Sequence, residues 1–124
     1  MKNEPITVYN NGNMYRDFTY VDDIVDALLR IIPNSPEPNA AGVTHRVYNI
    51  GNHHTELLSH FVDVLEKTIG KKAVIIYKPL QPGDVLKTYA DVTPLVEDFG
   101  FKPDTSIEQG LSLFWAWYKT YYHC

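Results

Sequence analysis

Little in this chain would tie it to a membrane, a metal or a nucleic acid. Of its 124 residues only Cys124 is a cysteine. One thiol cannot close an internal disulfide, which favours a reducing compartment and a cytoplasmic location. At the chain end, with no basic neighbour in sequence, Cys124 reads as a frayed terminus rather than a nucleophile. Basic residues are outnumbered, 11 Lys and Arg against 15 Asp and Glu, so the net charge of -4 leaves no footprint for a nucleic acid. No apolar run approaches the roughly 20 residues of a membrane span, and the polar start Met1-Lys-Asn-Glu-Pro5 is not a signal peptide. The seven glycines never form Gly-x-Gly-x-x-Gly or Gly-x-x-Gly-x-x-Gly, so no dinucleotide loop can be placed and no cofactor is expected on this chain alone. His53 and His54 stand without a His/Cys/Asp set at zinc-ligand spacing; a solvated loop is expected there, and no metal.

What is present suits one globular domain over residues 1–124, with 44% hydrophobic residues. Ile6–Tyr9 is a β-branched run closed by the turn-prone Asn10-Asn-Gly12, and Phe18–Val21 is the next extended candidate. Asp22 and Asp23 suit a helix N-terminus. Ile24, Leu28, Ile31 and Ile32 follow at one-face spacing, and Pro33 ends that helix. A Pro/Asn/Ala loop occupies 33–44. Val47–Ile50 reads as a strand stopped by Gly51. A helix is expected from about Thr55 to Ile69, with Leu57, Phe61, Val64 and Leu65 inward and Gly70 as its stop. Ala73–Tyr77 is an apolar strand, and together these suggest a βαβ-like piece within a mixed α/β fold. Leu80–Asp84 is a Pro-Gly turn. Thr93-Pro94 opens a short helix ending near Gly100. Thr105-x-x-Glu108 matches a capping box before the last helix. That helix carries Ile107, Leu111, Phe114, Trp115, Tyr118 and Tyr122 on one broad face, a spacing that favours packing over base stacking.

Two residues carry chemistry. Arg16 sits between aromatic and apolar neighbours, so its stem can pack while its head faces a cleft. Five donors in a rigid fork suit bidentate capture of phosphate oxygens; the plainer alternative is a salt bridge to Asp17, Asp22 or Asp23. Asp84 offers a carboxylate for the vicinal hydroxyls of a ribose, or for closing an Asx-type turn after Pro82-Gly83.

The runs Met14-Tyr-Arg-Asp-Phe-Thr-Tyr-Val-Asp-Asp23 and Gln81-Pro-Gly-Asp-Val85 resemble the substrate-side motifs of NAD-dependent sugar-nucleotide epimerases and dehydratases, in the extended short-chain dehydrogenase/reductase family. UDP-glucuronate 4-epimerases are the nearest likeness. Ile6–Gly12, Tyr48–Asn52, Thr88–Asp91 and Gly100–Pro103 resemble family segments in the family's order, so the likeness covers essentially the whole chain. It implies that Arg16 contacts the pyrophosphate of a UDP-sugar and Asp84 its ribose. Gln81 stands where galactose-type epimerases usually place arginine, and the Gln-Pro-Gly-Asp form resembles the uronate enzymes; a solvated loop glutamine is the alternative. His53-His54-Thr55-Glu56 departs from the family's small polar residue, proline and apolar residue. The family's base is a tyrosine with lysine four residues on, working with bound NAD, and no tyrosine here has that lysine. The resemblance therefore implies a C-terminal substrate-binding part without the N-terminal Rossmann core, catalytically incomplete alone and prone to self-association. A non-catalytic interaction or dimerisation module, or part of a related nucleotide-sugar dehydratase or decarboxylase, is the alternative.

Overall fold

A computed structural model describes residues 3–123, and the expectation made for Cys124 lies outside the described residues. The fold is mixed α/β. Its strands are β1 (Ile6–Tyr9), β2 (Tyr15–Arg16), β3 (Glu56–Leu57) and β4 (Ile75–Lys78), and its helices are α1 (Val21–Ile31), α2 (Leu58–Ile69), α3 (Thr93–Phe99) and α4 (Ile107–Tyr122). They gather into two compact units, each drawn from separated stretches of chain. The first holds Met1–Arg16, Thr55–Thr88 and Ser106–Cys124, the second Asp17–His54 and Tyr89–Thr105. No helix among the described residues is long and apolar enough to cross a membrane.

In the first unit β1 runs parallel to β4, with Ile6 opposite Ile75 and Tyr9 opposite Lys78. The expected βαβ piece is therefore built from Ile6–Tyr9 rather than Val47–Ile50, and α2 lies on the connection. Val8, Met14, Val64, Ile107 and Leu111 are buried, and α2 packs on α4. α4 outlasts α2, at 16 residues against 12, and its C-terminal aromatics pack on one another. Trp117 stacks on Tyr121, and Tyr118 lies 4.5 Å from Tyr122 between ring centres. Buried Glu66 ties the end of α2 to the segment that leads into β4: its carboxylate accepts from the Ala73 amide at 2.7 Å and from Lys72 Nζ. α2 starts three residues later than the spacing of its apolar residues suggests, because Glu56 and Leu57 pair with β2 and Leu57 becomes the N-cap. α4 is capped by Ser106, whose side chain accepts from the Gln109 amide, and not by Thr105. Gly70 and Gly100 end α2 and α3 as expected.

The second unit packs α1 and α3 around Ala27, Val92, Leu95 and Pro103. Two buried polar side chains organise it. Asp23 accepts from the Thr105 amide at 3.2 Å and its hydroxyl at 3.0 Å, which removes Thr105 from the capping role. Asn52 donates to the Thr105 carbonyl at 3.1 Å. Asp17 clasps two strands of chain, accepting from Asn52 N at 2.7 Å and Ala90 N at 2.9 Å. Gly51 is needed at that clasp, since a Cβ there would stand 2.3 Å from the Ala90 Cβ. Asp22 and Asp23 do lie in the first turn of α1. Phe18–Tyr20, however, is no strand and makes no hairpin with Ile6–Tyr9: the extended pairing falls one step earlier, on β2, and Asp17 then diverts the backbone to its clasp. Val47–Ile50 is not a strand either, because no strand partner reaches it among the described residues. Side chains tether the segment instead: Tyr48 OH donates to Asp98 at 2.6 Å and Asn49 to the Asp91 carbonyl at 3.1 Å. The bond to Asp98 holds the Tyr48 phenol above its ordinary pKa.

Candidate functional site

Arg16 sits in a two-residue strand held from both sides. Opposite it Glu56 pairs across β3. On the other flank Tyr15 N donates to Leu86 O at 2.8 Å and Thr88 N to Tyr15 O at 3.1 Å. With its backbone fixed this way, the arginine stem leaves β2 in one direction and its head is bound at two points. Nη1 donates to the Tyr15 carbonyl at 2.9 Å, and Nη2 meets Asp84 Oδ1 at 2.8 Å.

Asp84 arrives at that place through the Gln81–Asp84 turn. Asp84 N donates to the Gln81 carbonyl at 3.1 Å, and Gly83 takes φ +82, a value open to glycine without a Cβ penalty. Val85 N donates to Asp84 Oδ1 at 2.9 Å, so the carboxylate both closes the turn and pairs with Arg16. The turn-closing reading of Asp84 thus describes a real contact, and the same carboxylate also meets Arg16. The ion pair shown for Arg16 is with Asp84, rather than with Asp17, Asp22 or Asp23 as the plainer alternative had it; the carboxylates of Asp17 and Asp23 accept backbone amides.

The pair joins residues 68 apart in sequence and stands open to water, with side chains 24% and 34% exposed. An ion pair so exposed contributes about 0–1 kcal/mol, so exchanging it for a ligand costs little. Two of the five guanidinium donors are used; the rest, and Asp84 Oδ2, have no protein partner among the described residues. A donor fork beside an acceptor carboxylate is an arrangement that can take a phosphate and a hydroxylated ring together. Gln81 opens the same turn and is exposed, bound to it through its backbone carbonyl. A cavity of about 190 Å³ in the first unit lies elsewhere, lined by Ile6, Val62, Leu65, Ile69 and Val74 among others.

Residues 1–114 match the family described as GDP-mannose 4,6 dehydratase. The chain belongs to this family. Protein CapI of Staphylococcus aureus is 45% identical over 98% of this chain and 40% of its own length. The probable UDP-glucuronate 4-epimerase of Rhizobium meliloti is 38% identical over 95% of this chain and 38% of its own length. Among solved structures, the UDP-glucuronic acid 4-epimerase of Bacillus cereus, in complex with UDP-glucuronic acid and NAD, superposes with a TM-score of 0.78 at 26% identity. That superposition covers 97% of this chain and 37% of the Bacillus protein. The chain therefore spans about 40% of the length of the curated relatives it matches.

None of the four helices starts from a glycine-rich turn behind a strand: their N-caps are Tyr20, Leu57, Val92 and Ser106. No set of three or more His, Cys, Asp or Glu able to hold a metal occurs among the described residues. His53 departs from the solvated loop expected for it. Its backbone takes φ +54, which turns the ring back so that Nε2 lies 2.9 Å from Tyr89 OH and Nδ1 lies 3.3 Å from the Ala90 carbonyl. His54 is exposed. Beside His53, hydrogen bonds from the Thr93 hydroxyl and then its amide hold Asp91 below the usual carboxylate range. Sequence reasoning missed the roles of Asp17 and Tyr89. Both lie inside the quoted motifs, but nothing in their spacing distinguishes a backbone clasp from a ligand contact.

Proposed function

We propose that residues 1–124 act as the UDP-sugar-binding part of a UDP-glucuronate 4-epimerase-like enzyme, with Arg16 on the pyrophosphate and Asp84 on the uridine ribose. The observation that carries this reading is the meeting of Arg16 and Asp84 at 2.8 Å on an open surface. Two residues singled out for one ligand from distant motifs share a single corner, aligned by β2 and by the Gln81–Asp84 turn.

The chemistry follows from charge and donor type. A pyrophosphate competes with Asp84 for the planar fork of Arg16 donors and offers them several negatively charged oxygens. Asp84, released from Arg16, accepts from ribose hydroxyls. Arg16 also screens Asp84 from the anionic phosphates, so the two positions depend on each other. Gln81 puts a neutral amide where an arginine would add charge, which sets how the site treats an anionic sugar. Binding and orientation of the nucleotide are the whole contribution proposed for these residues; no proton or hydride step is assigned to them.

Calorimetric titration with UDP, UDP-glucuronate and UDP-glucose tests the reading. Arg16→Ala is expected to weaken UDP and both sugars by at least tenfold while leaving the weaker binding of uridine unchanged. An Arg16→Ala protein that binds UDP as the parent does, or a folded parent that binds no uridine nucleotide, would sink it.

A further inference from the structure

A second carboxylate lies across the strand from Arg16. In the antiparallel pairing of β2 with β3, Arg16 stands directly opposite Glu56 and Tyr15 opposite Leu57. Residues paired in this way project on the same face of the ladder, with Cβ atoms about 4.5–5.5 Å apart. On the other flank of β2, Lys87 is level with Tyr15, and the alternation of side chains sends it to the opposite face. The corner thus sets one guanidinium between two carboxylates: Asp84 on its exposed turn, and half-buried Glu56 on β3.

The two acids differ in how far they can retreat. Asp84 sits in a surface turn, where its carboxylate meets Val85 N and Arg16. Glu56 is fixed through its backbone on both sides. It pairs with β2, the next residue, Leu57, is the N-cap of α2, and Leu58 N donates to the Met14 carbonyl at 2.8 Å. A phosphate that displaces Asp84 from Arg16 therefore still meets the charge of Glu56. At about 6–8 Å and an effective dielectric of about 40, each unit of negative charge on the ligand weakens binding by roughly five- to tenfold.

We infer that Glu56 makes this corner select a diphosphate esterified at both ends over a free nucleoside diphosphate. The inference rests on the nucleotide reading and deepens it, with Glu56 as a specificity residue of the same site. A terminal phosphate carries about −1.5 to −2 at neutral pH, whereas one that bears a sugar ester carries about one negative charge. Arg16 answers the charge of the diester. The additional charge of the free diphosphate is set against a carboxylate that cannot move away, which is specificity by repulsion of the wrong ligand. The bias keeps free UDP off the surface that a UDP-sugar would occupy.

Calorimetry with UDP and its terminal methyl ester tests this, since the ester removes one ionisable oxygen and leaves the uridine and both phosphorus centres in place. The full chain is expected to bind the ester more tightly than UDP. Glu56→Gln is expected to shrink that preference by about threefold or more, chiefly by tightening UDP, and Glu56→Asp to keep it within about twofold. A preference for UDP in the parent, or the same ratio in parent and Glu56→Gln, overturns the inference. So does equal weakening of both ligands by Glu56→Gln, which would make Glu56 a support for Arg16 and not a filter of charge. Because the substitution touches a paired strand, the parent is also titrated from about 0.01 M to about 1 M salt, where the Debye length falls from about 30 to 3 Å. The preference is expected to fade across that range, and one that persists overturns the inference. Arg16→Ala separates the two readings. If it abolishes binding of both ligands while Glu56→Gln leaves their ratio alone, the nucleotide corner stands and the selectivity falls; a folded parent that binds neither ligand overturns both.

Discussion

Gly51→Ala probes the clasp that organises the second unit. The added Cβ would lie 2.3 Å from the Ala90 Cβ and 3.1 Å from Asp17 Oδ2. Carbon atoms settle at about 3.5–4.0 Å, so one side must retreat by roughly 1 Å or more. Neither side can do so freely, because Asp17 holds the amides of Asn52 and Ala90 at 2.7 and 2.9 Å. An N–H···O contact stretched by about 1 Å is no longer a hydrogen bond, and one to a charged acceptor contributes about 1.5–3 kcal/mol. Overpacking alone costs about 1–3 kcal/mol. Relief of the clash by breaking the Ala90 bond replaces one cost with the other, so the expected loss is about 2–3 kcal/mol and not their sum. Hydrogen exchange at Asn52 and Ala90 reads this directly, with protection falling by roughly 30- to 150-fold at about 1.4 kcal/mol per decade. Unchanged protection at both amides would refute the reasoning, since the Cβ would then have been accommodated without moving the clasp.

Ser106→Ala should lower stability by about 1 kcal/mol in urea unfolding, the usual cost of an N-cap; an unchanged midpoint would return the cap to another residue. The hydrogen bond from Lys72, and then the Ala73 amide, hold Glu66 below its ordinary pKa of 4.5. The unfolded chain therefore binds the proton more readily, and the Glu66 contribution is fully present above that ordinary value and is lost as pH falls through the lowered one. The thermal midpoint of the parent should exceed that of Glu66→Gln near neutral pH and converge with it on acidification; a constant gap would contradict the linkage. Asp84→Ala should weaken UDP by about tenfold or more and erase any preference for UDP over its 2′-deoxy analogue, measured by calorimetry; a retained preference would take the ribose away from Asp84.

The legible parts of this chain were those decided by local chemistry. Asp22 and Asp23 marked the start of α1, Gly70 and Gly100 marked helix ends, and Pro82-Gly83 marked the turn that delivers Asp84. Arg16 and Asp84 were recognisable by residue type and motif, and the fold does bring them together. What stayed hidden depended on partners distant in sequence. β2 and β3 are two residues each, too short for any periodicity, and exist because Tyr15 is paired on both flanks. Thr105 and Ser106 are both competent caps, and the choice is made by Asp23, which engages Thr105 from 82 residues away. Val47–Ile50 has strand composition, but composition cannot supply a neighbour.

The separation between Arg16 and Asp84 also has a kinetic side. Ile6 pairs with Ile75 across nearly the same span, so the first unit closes only after its distant segments have been made and brought together. Loop-closure entropy grows slowly with length, but contacts of long sequence separation delay the rate-limiting step of folding. A chain emerging from the ribosome would complete its second helix before Arg16 had Asp84 as its partner. The corner should thus be among the last features to form. A bound uridine nucleotide would act as a late fastener, slowing unfolding far more than it speeds folding.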